Sequence, residues 1–140
     1  MDEFTQNISA IAHTAVDHYS TISGGPLDFT EASLEHVEGI LASASGQNLS
    51  EDDTSQLTQL FGCYLLEVGR RCRGGRYSWY EAGNQPVLVA AGPDWRVAMI
   101  AFDKVRGRLG GDEGDNIPFF YEGFARRVEN ATPGTDAFYI

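Results

Sequence analysis

The first half of the chain carries apolar residues at spacings of three and four, the period of an amphipathic helix. This pattern predicts helices over residues 3–22, 29–44 and 51–73, and a glycine-containing stretch ends each of them. Ser50 and the three acidic residues after it are a favourable start for the third helix. That helix is apolar on two opposite sides, which predicts a central position in the fold.

Beyond residue 75 the pattern changes to short apolar and aromatic runs that alternate with turns. These runs predict strands over residues 76–81, 86–90 and 97–101. The turns between them are short. They favour an antiparallel meander, because parallel strands need long crossover connections.

Two more helices are predicted after the meander. Asp103 begins a short helix that ends at Leu109, and Asn116 caps a second helix that extends to about residue 130. Residues 131–140 form a tail, for which a flexible segment and an edge strand are both open. Helices first and strands later predict a single α+β domain over residues 1–140. We expect an N-terminal three-helix layer packed on a small antiparallel β-meander, with two further C-terminal helices.

The bulk composition predicts an ordinary domain. The chain has 140 residues, of which 42% are apolar and 21% are charged. No run approaches the ~20 apolar residues that span a bilayer, and the acidic N-terminus does not resemble a signal peptide. Cys63 and Cys72 lie on opposite sides of one predicted helix, so we expect both to be reduced. These features predict a cytoplasmic protein that makes no contact with a membrane.

A search for catalytic and metal-binding motifs gives a negative result. His13 and His18 point away from each other on the first helix, and His36 stands alone on the second. No metal-ligand spacing, nucleophile elbow or phosphate-binding loop occurs. We therefore predict no enzyme activity, no metal and no cofactor.

Glu67 is the one carboxylate that invites a catalytic interpretation, because apolar neighbours surround it in the middle of a helix. Burial would raise its pKa and suit it to general-acid chemistry. Arg70 and Arg71 follow at the spacings that face it on a helix, which favours a structural ion pair. A solvent-exposed Glu67 in a cleft would favour the enzyme, and a buried ion pair would count against it.

The distribution of charge is the most informative feature of the sequence. All ten lysines and arginines lie between Arg70 and Arg127, whereas residues 1–69 contain eleven acidic residues and no basic one. The first segment therefore carries a charge of −11, and the rest, with ten basic and nine acidic residues, carries +1. A net charge of −10 argues against nucleic-acid binding, which needs positive charge.

Three glutamates of the second helix, Glu31, Glu35 and Glu38, lie along one side of it, with no cation nearby in the sequence. One interpretation is a solvated face. The other is an acidic surface that captures a basic protein partner by electrostatic attraction. In that case we predict Glu31, Glu35, Glu38, Asp52 and Asp53 as contacts.

The order of motifs over residues 62–121 resembles a group of small bacterial α+β proteins of unknown function. Some of these look like immunity proteins, which neutralise the toxins used between competing bacteria. The motifs are Gly62-x-Tyr64-x-x-Glu67, Gly74-Gly75-Arg76-x-x-Trp79, Pro86-Val87-Leu88-Val89, Phe102-Asp103-Lys104-Val105-x-x-Arg108-Leu109 and Phe120-Tyr121. The resemblance implies a binding protein and gives no catalytic residue.

Three hypotheses of function follow. The leading one is a cytoplasmic immunity-type protein that binds and blocks a basic toxin or effector through its acidic surface. The alternative is a small-molecule-binding or regulatory module, with a pocket near Trp79 and Tyr80. A small enzyme that uses Glu67 and the neighbouring arginines is the third.

Overall fold

The computed structural model describes residues 2–21 and 25–139. Five α-helices and four strands occur in those ranges, and they confirm the predicted α+β class. In chain order they are α1 (Glu3–Tyr19), α2 (Leu34–Ser45), α3 (Glu51–Arg73), β1 (Arg76–Tyr80), β2 (Gln85–Ala91), β3 (Arg96–Met99), α4 (Ala101–Leu109), α5 (Ile117–Glu129) and β4 (Asp136–Tyr139).

The four strands form one sheet in the order β1-β2-β3-β4. The first three strands are the predicted antiparallel meander, with Tyr77 opposite Leu88 and Leu88 opposite Met99. The fourth strand adds a parallel edge, because the chain returns through α4 and α5 before Asp136 pairs with Arg96. Of the two alternatives for the tail, the structure has the edge strand.

The centre of the fold is α3, as its two apolar sides predict. Its residues 60–69 are all buried. The sheet is covered mainly by α3 and α5, while α1 packs on α3, and α2 packs on α4 and α5. The helices therefore surround α3 more completely than a single three-helix layer would.

Two glycines of α3 allow neighbours to come close. A Cβ atom at Gly62 would lie 2.3 Å from a ring carbon of Phe102, and one at Gly69 would lie 2.8 Å from a methyl carbon of Leu88. Such distances are shorter than any van der Waals contact, so these positions exclude a larger side chain unless the neighbours move. The two contacts bring α4 and the sheet against the central helix.

The second helix begins later than predicted. Phe29 has a φ of 64°, a left-handed conformation that is unusual for a bulky residue, and it cannot start a helix. Thr30 instead caps a short 3-10 turn over Glu31–Ser33, and α2 follows from Leu34. The first helix ends at Tyr19, and the predicted helical residue Ile22 lies outside the described residues.

Candidate functional site

The carboxylate of Glu67 lies where α1, α3 and β1 meet, and it is fully buried. It accepts five hydrogen bonds. Arg70 donates two of 2.9 Å, Arg71 donates one of 3.0 Å, and the hydroxyls of Tyr77 and Ser9 donate at 2.5 Å and 3.1 Å. The predicted ion pair with both arginines is therefore confirmed. Tyr77 and Ser9 were not expected, because they approach Glu67 from other elements.

The ionisation of Glu67 follows from these partners. Burial alone would raise its pKa, but hydrogen bonds from Arg70, Tyr77 and Arg71 lower it to about 2. Burial and the same hydrogen bond raise the pKa of Tyr77 well above its ordinary value. Glu67 is therefore an ionised hydrogen-bond acceptor at neutral pH, without the proton that a general acid needs.

Arg71 connects this cluster to the strained residue before α2. Its guanidinium lies 3.8 Å from the ring centre of Phe29, and that ring stacks on Tyr64 at 5.1 Å. The hydroxyl of Tyr64 accepts the Phe29 backbone N–H at 3.0 Å. These contacts hold Phe29 in its left-handed backbone conformation, which costs ~1–3 kcal/mol relative to an ordinary one. The Glu67 cluster therefore ties α1, α3, β1 and the start of α2 together, which is a structural role.

Two of the glutamates predicted as partner contacts form internal ion pairs. Glu31 accepts hydrogen bonds from Arg73, at 2.8 Å and 3.1 Å, and from the buried Tyr121 hydroxyl. Hydrogen bonds from Arg73 and Tyr121 outweigh the effect of burial and lower the pKa of Glu31. Arg73 also bonds Glu129. No cation is near Glu31 in the sequence, but the fold supplies one that lies 42 residues along the chain.

Glu38 is held in the same way. It accepts a hydrogen bond of 2.7 Å from Arg108 and one of 3.1 Å from the backbone N–H of Ile117, the first residue of α5. The side chains of Glu38 and Arg108 are only 14% and 10% exposed. The pair fastens α2 to α4 and α5, so Glu38 is also an internal contact.

The other three predicted contacts are exposed, and they differ in what they bond. Asp53 forms a capping box with Ser50, so it stabilises the start of α3. Glu35 and Asp52 are exposed and form no ion pair in the described part of the chain. The neighbouring Glu51 pairs with Arg106 of α4 at 2.9 Å. Glu35 and Asp52 are therefore the predicted contacts whose carboxylates bond no other residue that the structure describes.

The ion pairs among the described residues determine which charged groups stay unpaired at the surface. Eight of the ten cations pair with a carboxylate, which leaves Arg76 and Arg127. Eight of the twenty carboxylates are used in these pairs, and the other twelve are all exposed. Seven of the twelve lie within residues 1–69: Asp2, Glu3, Asp17, Asp28, Glu35, Asp52 and Asp53.

Among the described residues, no group of three or more histidine, cysteine, aspartate or glutamate side chains is arranged to hold a metal ion. Cys63 is buried and Cys72 is exposed, and both are free thiols, as predicted. Burial raises the pKa of Cys63 to about 12. That thiol therefore packs as a small apolar group.

The groove that reaches β1 differs from the pocket expected near Trp79 and Tyr80. It lies over Val89 and Ala91, and Arg76 and Arg96 flank it, with a volume of 590 Å³. Neither Trp79 nor Tyr80 lines it. Half of the Trp79 surface is exposed at the edge strand. Of the aromatic residues of β1, Tyr77 lines this groove, and the two that the prediction named do not.

Comparison of the chain with family models, with curated proteins and with solved structures gives no match. The helices described here include none that combines the length and the apolar character needed to cross a bilayer.

Proposed function

We propose that this protein binds and blocks a basic protein partner through the exposed carboxylates of residues 1–69, in the manner of an immunity protein. The observation that supports this proposal is the difference between the charged groups that form internal ion pairs and those that do not. Among residues 2–21 and 25–139, internal ion pairs use eight of the ten cations, whereas twelve carboxylates stay exposed without one. The surface that a partner meets is therefore strongly acidic.

Electrostatic attraction over this surface would speed the capture of a basic partner. Glu35 and Asp52 are the contacts that we assign, because each is exposed and neither stabilises the fold through an ion pair. Glu31, Glu38 and Asp53 have internal bonds, and we assign them to the support of that surface. The Glu67 cluster gives no favourable argument for an enzyme, because no carboxylate oxygen is exposed to a substrate.

The test uses three immobilised forms of the chain. The wild type, the E35K/D52K variant and the D94K/E113K variant are exposed to a lysate of the source organism and eluted with salt. Asp94 and Glu113 are exposed carboxylates of the second half, so the two variants change the net charge equally. We expect one basic protein on the wild type and on D94K/E113K, and its loss from E35K/D52K.

A growth assay tests whether binding by this chain protects cells from the captured protein. The captured protein should arrest growth when it is expressed alone, and co-expression of this chain should restore growth. Capture of an acidic protein, equal retention on E35K/D52K, or a captured protein without toxicity would contradict the proposal.

A further inference from the structure

Three neighbouring surface grooves share lining residues and adjoin one another in a row. The groove over β1 to β3 contains Arg76 and Arg96. A second groove of 260 Å³ is lined by Arg96 and Thr135, and a third of 400 Å³ by Thr135, Arg126 and Arg127. Because Arg96 and Thr135 each line two grooves, the row of grooves runs from the sheet to the last turns of α5. We call it the arginine band, defined by Arg76, Arg96, Arg126 and Arg127.

The two cations without an ion pair in the described part of the chain lie at opposite ends of this band. Arg76 belongs to the first groove and Arg127 to the last, and both are exposed. Arg96 pairs with Asp136, and Arg126 pairs with Glu122, but these pairs are exposed. Exposed single pairs contribute only ~0–1 kcal/mol, so Arg126 can exchange its partner at little cost. Arg96 is held more firmly, because it bonds both carboxylate oxygens of Asp136.

The acidic residues that line the band are Asp94 and Asp136, both in the middle groove. With four arginines, the lining residues carry a net positive charge on a chain whose net charge is −10. Arg76 and Arg96 belong to strands separated by β2, about 10 Å apart at the spacing of a sheet. Arg76 and Arg96 are therefore separate positive groups on the sheet, and Arg126 and Arg127 form a third positive group at the end of α5.

We propose that the arginine band binds an extended acidic polypeptide segment. Such a segment can place carboxylates at the two ends and neutral or basic residues beside Asp94 and Asp136. A nucleic acid presents a phosphate at every step, so it would meet these aspartates with like charge. The band lies within residues 75–136, apart in sequence from the carboxylates of the proposed function, and does not rest on that proposal.

Fluorescence anisotropy of a fluorescein-labelled peptide with two glutamates at each end and two serines between them tests this site. We expect saturable binding to the wild type and about tenfold weaker binding to R76Q/R127Q, because the charges at both ends are lost. The Q56E/Q59E variant changes the net charge by the same amount at two exposed positions of α3. It should bind within about twofold of the wild type, because screening limits the effect of distant charges. Urea unfolding should be the same for all three forms.

Four outcomes would overturn the proposal. One is the absence of saturable binding to the wild type. Another is an equal loss in both variants, which would mean that net charge alone matters. Tighter binding of an oligothymidylate of equal charge would assign the band to nucleic acid. Sedimentation that shows self-association of the wild type, lost in R76Q/R127Q, would assign it to a second copy of the chain.

Discussion

Glu67 of α3 and Glu35 of α2 both belong to the part of the chain that has no lysine or arginine, and their environments are opposite. Glu67 is fully buried and accepts five hydrogen bonds. Glu35 is exposed and forms no ion pair among the described residues. A count of charges along the sequence treats the two alike. The fold separates them into a carboxylate that holds elements together and one that a partner can reach.

The same separation occurs within α2 and the turn before it. Glu31 and Glu38 point toward α3, α4 and α5 and pair with Arg73 and Arg108. Glu35, one helical turn from each, points to solvent. The cations of the second half therefore neutralise the inner carboxylates of the first. The excess negative charge of the surface comes from the exposed carboxylates that form no such pair among the described residues.

The largest expected effect comes from removing the charge of Glu67. The E67Q variant keeps the shape but leaves Arg70 and Arg71 without a counter-charge, and one amide oxygen cannot accept all five hydrogen bonds. The side chains of the arginines are 28% and 38% exposed, which limits the penalty. We expect a loss of about 3 kcal/mol in the free energy of unfolding, measured with urea.

The matched control is E35Q, which removes the same charge from the outer face. We expect it to change the free energy of unfolding by less than about 0.5 kcal/mol. A similar loss for E35Q and E67Q would contradict the division into inner and outer carboxylates.

A second, smaller effect is expected in the pH dependence of the unfolding free energy, which should differ between the wild type and E67Q at acid pH. The pKa of Glu67 is lowered from 4.5 to about 2, so its stabilising contribution is complete above pH 4.5 and is lost as the pH falls toward 2. Between pH 4.5 and about pH 3 we expect the wild type to lose about 2 kcal/mol more than E67Q, which has no carboxylate to protonate. Parallel pH profiles of unfolding free energy would contradict this assignment.

Local signals in the sequence were sufficient for much of the fold. Ser50 with the three acidic residues after it and the Gly74-Gly75 pair predict α3 over residues 51–73, as observed. The ion pair of Glu67 with Arg70 and Arg71 was also predictable, because all three lie within one helical turn. These features depend on residues that are neighbours in the chain.

Other features depend on residues that only the fold brings together. Arg73 and Arg108 lie 42 and 70 residues from Glu31 and Glu38, so no local pattern reveals these pairs. The left-handed conformation of Phe29 depends on Tyr64 and Arg71 of α3. From the sequence alone, the charge asymmetry therefore predicts an external acidic surface. In the fold, part of the asymmetry is internal, because carboxylates of the first half pair with cations of the second half.

The most direct test of the central claim is the association rate of the captured basic partner, measured by stopped-flow fluorescence at low and high salt. We expect E35K/D52K to associate about tenfold more slowly than the wild type at low salt, and the difference to shrink as salt screens the charges. D94K/E113K should stay within about twofold of the wild type. Equal rates for the wild type and E35K/D52K at low salt would contradict the claim that the outer carboxylates of residues 1–69 recognise the partner.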